Sequence, residues 1–342
     1  MITIKDVARR AKVSPSTVSR VISDSKSISE PTKERVRQVM KELGYHPNVI
    51  ARSLIRRSSQ ALGLILSRSA ESAFSNPFFA EILRGISKVT QRFQYSLVLA
   101  TAENYKEEAK QSLQMIMERR VDGLIILATR VNDELVMKLS ENQLPFVVVG
   151  RVNGEQHHYA VNNDNIQAAY SAVRHLLNLG HKKVAFLNGP AEYTFCQDRF
   201  QGYAMAFREF GLAVDDRYIC HAENLHEDGY KYSQQLLGLR PPPTALFVSD
   251  DLMVIGAYRA IKEARLVIPD DIAVVGFNDD AFTSLLDPPL TTVRIPIYEM
   301  GEAAAGIIIS VLNGEKVVPP QRILSSELLI RDSCGAKRML PV

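Results

Sequence analysis

Residues 11–23 read AKVSPSTVSRVIS, and this stretch decides how the chain begins to fold. Ser14 is a favourable helix N-cap, and Pro15 follows at the first helical position, where the missing amide leaves no donor unpaired. On a helical wheel the apolar residues Val18, Val21 and Ile22 share one face. The polar residues Ser16, Arg20 and Ser23 lie on the opposite face. The stretch therefore predicts a short helix with one buried side and one polar outer side.

Helical patterns flank this stretch on both sides. Upstream, residues 3–11 (TIKDVARRA) place apolar residues three and four positions apart. Downstream, residues 29–45 (SEPTKERVRQVMKELGY) carry an apolar stripe that Gly44 ends. Three short helices with a tight turn between the first two form a helix-turn-helix, whose second helix enters the DNA major groove. For a single surface helix, contact with water would be the simpler explanation of the polar face.

Charge is unevenly distributed along the 342 residues. Residues 1–60 contain 13 Lys and Arg against 5 Asp and Glu, whereas the remainder contains 28 against 33. A basic head on a mildly acidic body indicates that only the head meets a polyanion. The length is sufficient for two or three domains.

Cysteine usage and hydropathy favour a cytosolic protein. The three cysteines, Cys196, Cys220 and Cys334, have neither metal-ligand nor redox spacing, and their odd number argues against a closed disulfide set. The first residues form a charged amphipathic pattern rather than a signal peptide, and no apolar run reaches membrane-spanning length. We therefore expect a reducing compartment, beside the chromosome in a cell without a nucleus.

From residue 61 onward, apolar runs alternate with helical patterns at 77–94, 106–120, 164–180, 196–211 and 250–264. The runs are ALGLILS, SLVLATA, DGLIILAT, FVVVG, KVAFLNG, TALFVSD and IAVVGFND. Continuous apolar runs are typical of parallel strands buried on both faces, so we expect a doubly wound α/β body. Ligands of such sheets bind beyond the carboxyl ends of the strands, and the length of the body favours two lobes with a cleft.

Head and body are joined by HPNVIARSLIRRSSQ, residues 46–60. Asn48 is a candidate helix cap, but a helix of about eight residues is marginal alone because nucleation is costly. One interpretation is a solvated linker. The other is a hinge that becomes helical on DNA, inserting Leu54 into the minor groove as a wedge while its arginines meet phosphates.

Head, hinge and two-lobed body together resemble the LacI/GalR family of bacterial transcriptional regulators. The resemblance runs nearly end to end and is carried by TIKDVARRAKVSPSTVSRVI, RVRQVMKELGYHPNVIARSL, NPFFAEILRGI, RFQGY, FVSDD, AVVGFNDD and PPLTTVR. It implies a body like the periplasmic sugar-binding proteins, with an effector held between the lobes. The head and NPFFAEILRGI look most like the maltose-operon repressors within the family.

Residue patterns and resemblance together divide the chain into five parts. We expect a helix-turn-helix head at 1–46 and a hinge helix or linker at 47–60. A first lobe would comprise 61–161 with about 291–320, and a second lobe 162–290 with about 321–332. Residues 333–342 would form a tail.

The resemblance also implies which residues meet each partner. Operator DNA would contact Thr3, Ser14, Pro15, Ser16, Thr17, Ser19, Arg20, Asn48, Ala51, Arg52, Leu54 and Ile55. The effector would contact Asn76, Phe78, Asn163, Asp164, Arg199, Asp250 and Asn278. Arginine, aspartate and asparagine suit the vicinal hydroxyls of a sugar because they offer planar donors and acceptors. The structural alternatives are helix capping by Asn76 and Asp250, and an ion pair of Arg199 with Asp198 or another acid.

Lys12 departs from the family pattern, which usually has glycine in the turn between the first two helices. A non-glycine residue that adopts left-handed backbone there costs about 1 kcal/mol. Its ammonium group would also add a cation near the DNA phosphates.

The residues favour a neutral polyol effector over a charged one. No arginine cluster marks a phosphate clamp, and neither a GxxxxGK loop nor a GxGxxG fingerprint occurs in the chain. The subfamily resemblance favours maltose or a maltodextrin. We expect no cofactor and no metal, because the seven histidines and three cysteines lack ligand spacing.

We expect a homodimer, because one recognition helix covers only a few base pairs and a palindromic operator needs two heads. The C-terminal GAKRMLPV has no leucine heptads, so no zipper-driven tetramer is expected.

An enzyme is disfavoured by the absence of a GxSxG elbow or a cysteine–histidine arrangement. A sugar-binding transport receptor would have no use for a DNA-binding head. A repressor that takes a purine-like corepressor or a phosphocarrier protein as effector fits the same sequence.

Overall fold

The computed structural model describes residues 2–45, 58–66, 75–127, 129–152, 158–223 and 225–336. It contains two compact units, residues 1–60 and residues 61–342. The boundary falls at the end of the segment in which the sequence predicts a hinge or linker.

The first unit is a bundle of three helices, α1 (Ile4–Ala11), α2 (Pro15–Ile22) and α3 (Glu30–Glu42). Valines from all three helices meet in its core, and Val7, Val18 and Val36 are fully buried there. The helix predicted from AKVSPSTVSRVIS is confirmed: Ser14 accepts a hydrogen bond from the Thr17 amide at 3.1 Å.

Lys12 lies in the turn between α1 and α2 and adopts the left-handed backbone expected of it. Its φ and ψ are 55° and 45°, and its amide donates to the carbonyls at the end of α1. A lysine at a position that favours glycine carries strain of about 1 kcal/mol. Burial of the apolar core that the three helices share offsets this strain energy.

The second unit contains two six-stranded sheets. In spatial order, the first sheet consists of β11 (Gln321–Leu324), β5 (Tyr159–Asn163), β4 (Phe146–Val149), β3 (Gly123–Leu127), β1 (Ala61–Leu66) and β2 (Ser96–Thr101). The second sheet consists of β12 (Glu327–Leu329), β10 (Thr291–Arg294), β9 (Ala273–Asn278), β8 (Ala245–Val248), β6 (Val184–Asn188) and β7 (Ile219–His221). Among these described strands, only the β10–β12 pairing is antiparallel.

Helices cover the sheets, as expected for a doubly wound α/β fold. They are α4 (Pro77–Arg92), α5 (Tyr105–Met117), α6 (Glu134–Glu141), α7 (Asn165–Asn178), α8 (Thr194–Glu209), α9 (Leu225–Leu237), α10 (Asp251–Glu263) and α11 (Ile297–Leu312). Three pairs pack closely, namely α4 with α11, α7 with α8 and α9 with α10. The part of the chain that the structure describes contains no helix both long and apolar enough to cross a membrane.

We call the first sheet with α4, α5, α6 and α11 the first lobe, and the second sheet with α7 to α10 the second lobe. Two strands lie in the opposite lobe from the one expected: β10 belongs to the second sheet and β11 to the first. The chain crosses between lobes at about 163–165, 294–297 and 324–327. A strand beside a crossing has the same apolar pattern in either sheet, so the pattern alone could not assign it.

Burial confirms most of the predicted internal strands and corrects one. Every residue of β1, β3, β6, β8 and β9 is buried. The run SLVLATA forms β2 at the edge of the first sheet instead, and Leu99 is 42% exposed. An edge strand has a neighbour on only one side, so its apolar pattern resembles that of a central strand without the same burial.

The contact between α4 and α11 predicts a sharp difference between two glycines of α11. A Cβ on Gly301 would lie 2.4 Å from the Ile82 carbonyl oxygen, whereas a Cβ on Gly306 would meet nothing within 4 Å. We expect Gly301→Ala to lower the free energy of unfolding by roughly 1–3 kcal/mol through overpacking. Gly306→Ala should raise it by up to about 1 kcal/mol, because alanine loses less backbone entropy on folding. Urea denaturation of both variants measures this, and equal midpoints would contradict it.

Candidate functional site

The head presents a polar surface on the side of α2 that faces away from its core. Ser14, Pro15, Ser16 and Arg20 are exposed. Arg20 forms no ion pair with any described residue, so its guanidinium is available to an external acceptor.

The other predicted DNA-binding residues of the head lie around this surface. Thr17 and Ser19 are half-buried on α2. Thr3 is exposed and caps α1, with its hydroxyl donating to Asp6 at 2.7 Å. The remaining candidates lie outside the described residues; they are Asn48, Ala51, Arg52, Leu54 and Ile55.

A cleft of about 790 Å³, including its open mouth, lies at the carboxyl ends of strands from both lobes. Its described lining comprises Asn76, Phe78, Phe79, Thr129, Val149, Gly150, Asn162, Asn163, Asn165, Tyr193, Thr194, Phe195, Arg199, Asp250, Asn278 and Ile295. Five of these are asparagines and four are aromatic, while Arg199 and Asp250 carry the charges. A mixture of flat apolar walls and a few convergent polar groups is typical of a small-molecule site.

Arg199 is the most constrained charged group in the cleft. It is 6% exposed, and its Nε donates to Asn165 Oδ1 at 3.0 Å while Nη1 donates to the Ser249 carbonyl. Its guanidinium carbon lies 3.8 Å from the centroid of the Phe277 ring. Burial lowers the pKa of this guanidinium, and the carboxylates of Asp250 and Asp251 oppose that effect.

The alternative ion pair of Arg199 with Asp198 is not formed. Asp198 instead accepts two hydrogen bonds from Arg151, one from Nε at 3.0 Å and one from Nη2 at 2.6 Å. Adjacent residues of α8 point in different directions, so Arg199 is left to face the cleft.

Asp250 and Asn278 lie next to each other at the ends of β8 and β9. Asp250 caps α10 by accepting from the Leu252 amide at 2.9 Å, and Asn278 Nδ2 lies 3.4 Å from Asp250 Oδ2. The capping and cleft-lining interpretations of Asp250 therefore both hold. Asn278 has a φ of 121° and Asp279 a φ of 62°, both unusual for residues with a side chain.

Asp251 holds this unusual turn in place. Its carboxylate is fully buried and accepts hydrogen bonds from the amides of Phe277 at 2.8 Å and Asp280 at 3.1 Å. A Cβ on Gly276 would lie 2.2 Å from Asp251 Oδ1, so the approach of the carboxylate requires glycine there. Strained backbone of this kind persists only where surrounding contacts over-determine it.

The remaining predicted effector residues separate into two groups. Asn76 caps α4 through the Phe78 amide at 2.9 Å, yet it is buried and lines the cleft with Phe78. Asn163 also lines the cleft. Asp164 does not, because it is exposed and caps α7 through the Gln167 amide at 2.9 Å. Six of the seven predicted residues are thus brought together.

Sequence reasoning missed much of the wall that completes the cleft. Asn162 and Asn165 flank the predicted Asn163, and the run NNDN was a sufficient signal for them. Tyr193 lies in the loop after β6 and Phe195 in the first turn of α8, and strand-end reasoning could also have identified both. Thr129 ends the apolar run DGLIILAT, so strand-end reasoning could have identified it as well.

Metal chemistry has no support in the described part of the chain. No group of three or more His, Cys, Asp or Glu side chains there could hold a metal ion. Cys196, Cys220 and Cys334 do not form disulfides with one another. The cleft is equipped to bind and orient a ligand through hydrogen bonds and ring stacking.

Comparison with known proteins places both units in one family. Residues 3–48 match the model of bacterial regulatory proteins of the lacI family, and residues 173–334 match that of a periplasmic binding protein-like domain. The repressor CytR of Escherichia coli K12 is 34% identical over 99% of this chain and 97% of its own length. The regulator MalR of Streptococcus pneumoniae TIGR4 is 37% identical over 92% of this chain and 94% of its own length. The structure of a CelR–cellobiose complex matches with a TM-score of 0.76 and 30% identity, covering 97% of this chain and all of that chain.

Asp280 provides a test of the electrostatics beside the cleft. Its Oδ2 is buried without a hydrogen-bond partner among the described residues, and burial together with Asp251 and Asp250 raises its pKa to about 8. A folded-state pKa above the unfolded value means that the folded protein retains a proton that the unfolded chain has lost. Stability should therefore be full only below about pH 4, where the unfolded carboxyl is also protonated, and decline as pH rises from there towards about 8.

We expect Asp280→Asn to remove that decline. The free energy of unfolding of the variant relative to wild type should rise by up to about 1.4 kcal/mol per pH unit between about pH 5 and about pH 8. Chemical denaturation at several pH values measures the difference. Ser284→Ala, a non-titrating change in the same turn, is the control, and parallel curves for Asp280→Asn and wild type would refute the assignment.

Proposed function

This chain belongs to the lacI family of bacterial regulatory proteins, and on that premise we propose that it represses sugar-utilisation genes under the control of a sugar bound in its cleft. It is a transcriptional regulator rather than an enzyme, as its full-length relatives are. The observation that carries the proposal is the cleft itself, in which amide groups, one arginine and one aspartate surround aromatic walls. We place its action in the cytoplasm, on double-stranded operator DNA.

Helix α2 of the head has the chemistry needed to recognise DNA. Ser16 and Arg20 project from its exposed side, and their hydroxyl and guanidinium groups can donate to base edges in the major groove. Lys12, held in the preceding turn, adds a cation where the backbone of the duplex would pass. One such helix reads only a few base pairs, so we propose a homodimer on a palindromic operator.

The lining of the cleft favours an uncharged ligand rich in hydroxyl groups. Arg199 and Asp250 balance each other in charge, and the asparagines add neutral donors and acceptors. Flat aromatic side chains such as Phe78 and Phe195 can pack on the apolar faces of sugar rings. CelR resembles this chain over nearly its whole length, and the matched structure is that of CelR in complex with cellobiose. Together with the likeness to MalR, these features support maltose or a maltodextrin as the effector.

A purine-like corepressor is the second candidate, and the aromatic residues of the cleft favour it. Phe78, Phe195 and Tyr193 could stack on a planar base as well as on a sugar. CytR and MalR have nearly the same sequence identity to this chain, so neither relative assigns its ligand. A thermal-shift comparison of maltose, maltotriose, adenosine and hypoxanthine separates the two classes, since only the true ligand class should raise the melting temperature.

We expect Arg20→Ala to relax sequence preference rather than abolish DNA binding. Each lost base contact should cost roughly 1–3 kcal/mol of discrimination. The operator would first be selected from a random DNA library with the wild-type protein, and affinities for it and for random DNA would then be measured by gel shift. Arg35→Ala, an exposed arginine on α3, is the matched control. Equal weakening on both DNAs by Arg20→Ala would make Arg20 a phosphate contact.

We expect Arg199→Ala to retain operator binding but lose the response to maltose. Truncation leaves the ligand hydroxyls and the buried acceptors around Arg199 unmatched, at a cost of about 1–3 kcal/mol, which corresponds to a loss of affinity of about 5- to 150-fold. Calorimetric titration measures the affinity for maltose, and a gel shift measures operator binding and its release by maltose. Circular dichroism establishes that the variant is folded. Arg208→Ala, an exposed arginine on the same helix, is the control. A normal sugar response of Arg199→Ala would overturn its assignment.

A further inference from the structure

Two loops, one from each lobe, are joined beside the cleft by a short stretch of paired backbone. Arg130, in the loop after β3, forms an antiparallel bridge with Tyr193, in the loop after β6. The Val131 amide donates to the Glu192 carbonyl at 2.9 Å, and the Thr194 amide donates to the Thr129 carbonyl at 3.0 Å. These hydrogen bonds connect the lobes at a point separate from the three chain crossings.

The side chain of Arg130 strengthens this junction. Its guanidinium carbon lies 4.4 Å from the ring centroid of Tyr105 on the first lobe and 4.9 Å from that of Tyr193 on the second. Nη2 also donates to the Tyr193 hydroxyl at 3.0 Å. One arginine is thus held between two tyrosine rings that belong to different lobes, an arrangement that is stabilised by the attraction of a cation to aromatic faces.

Arg130 is also oriented by contacts within the first lobe. Its Nη1 lies 3.3 Å from Oε2 of Glu108, whose side chain is almost completely buried. The Arg130 amide donates to Asp133 at 3.1 Å, and the Tyr105 hydroxyl donates to the same carboxylate at 2.8 Å. The first lobe therefore holds the guanidinium ready for Tyr193, so little side-chain freedom remains to be lost when the lobes meet.

A second charged contact spans the lobes nearby. Arg151, just after β4, donates to both carboxylate oxygens of Asp198 on α8. Asp198 is almost completely buried, whereas Arg151 is partly exposed. The hydroxyls of Thr129 and Thr194, again one from each lobe, both donate to the Arg151 carbonyl oxygen.

These contacts hold one wall of the cleft. Thr129, Tyr193 and Thr194 take part in them and also line the cleft, and Phe195 follows immediately. Asp198 immediately precedes Arg199 on α8. Separating the lobes would break the contacts and carry the aromatic wall away from the residues of the first lobe.

We propose that these interlobe contacts form a clamp that holds the cleft closed, with Arg130 and Arg151 as positioning residues that set how readily it opens. The clamp works without ligand, since every partner belongs to this chain. A ligand that binds the closed cleft is weakened in proportion to any fall in the closed population. The ligand part of the proposal rests on the proposed function, whereas the closure of the ligand-free protein does not.

The test is electron–electron double resonance on the full chain in a Cys220→Ser background, with spin labels on cysteines at two exposed positions. One pair uses Met137→Cys and Met205→Cys, and a second pair uses Met117→Cys and Val267→Cys, so that two separate distances between the lobes are followed. Cys196 and Cys334 are 0% and 2% exposed, so they are protected from labelling.

Two double variants break the clamp without leaving a buried charge alone: Arg130→Gln with Glu108→Gln, and Arg151→Gln with Asp198→Asn. Arg259→Gln with Glu263→Gln removes an ion pair within α10 and is the matched control. We expect narrow distance distributions in the ligand-free wild type and control, and longer, broader ones in both clamp variants. Wild-type distributions in folded clamp variants would overturn the proposal. Tyr193→Phe removes only the hydroxyl that accepts from Arg130 and is the milder replacement if a double variant does not fold.

Maltose is the probe in the second arm. We expect it to restore the closed distribution in the clamp variants with a midpoint at least severalfold above that of wild type. An unchanged midpoint in variants that are open without ligand would refute the coupling of the clamp to affinity. If maltose changes neither wild type nor variants, the proposed effector is wrong, and the ligand-free distributions alone decide whether the clamp exists.

Discussion

The burial of the Arg199 guanidinium is the constraint around which the cleft is built. A buried charge is tolerated only where its donors are satisfied. Here the Asn165 amide, the Ser249 carbonyl and the Phe277 ring provide those partners from three different elements of the body. The ends of β8 and β9 and the start of α7 are therefore fixed relative to α8, and the polar groups of the cleft converge as a result.

A second constraint lies one step further from the cleft, in the carboxylate of Asp251. By accepting the amides of Phe277 and Asp280, it keeps Asn278 and Asp279 in backbone conformations that side chains seldom adopt. That conformation directs Asn278 towards Asp250. The pKa of Asp251 is raised to about 7, because burial outweighs the hydrogen bonds that it accepts. The protein thus keeps a costly buried acid where it determines the shape of a binding surface.

The lobes are joined in two ways, through the chain itself and through side-chain contacts. Three chain crossings join the lobes, and each is only a few residues long. Such short connections act as hinges, because a few residues can absorb a rotation of the lobes. The side-chain contacts of Arg130 and Arg151 lie elsewhere and can break without unfolding either sheet. In the proposed clamp, closure is a balance between contacts of modest strength, which a ligand would shift only through its different affinity for the two arrangements.

The sequence by itself determined the helix-turn-helix head and the doubly wound body, because caps and apolar periodicity are local properties, whereas six of the residues that line the cleft followed from the family resemblance. It could not assign β10 and β11 to their sheets, since a strand beside a crossing has the same pattern in either lobe. It also placed Asp164 in the cleft, although that side chain caps α7 and is exposed. The aromatic wall, the partners of Arg199 and the Arg130 junction were decided only by the tertiary structure, because each joins residues from separate elements whose proximity no local pattern records.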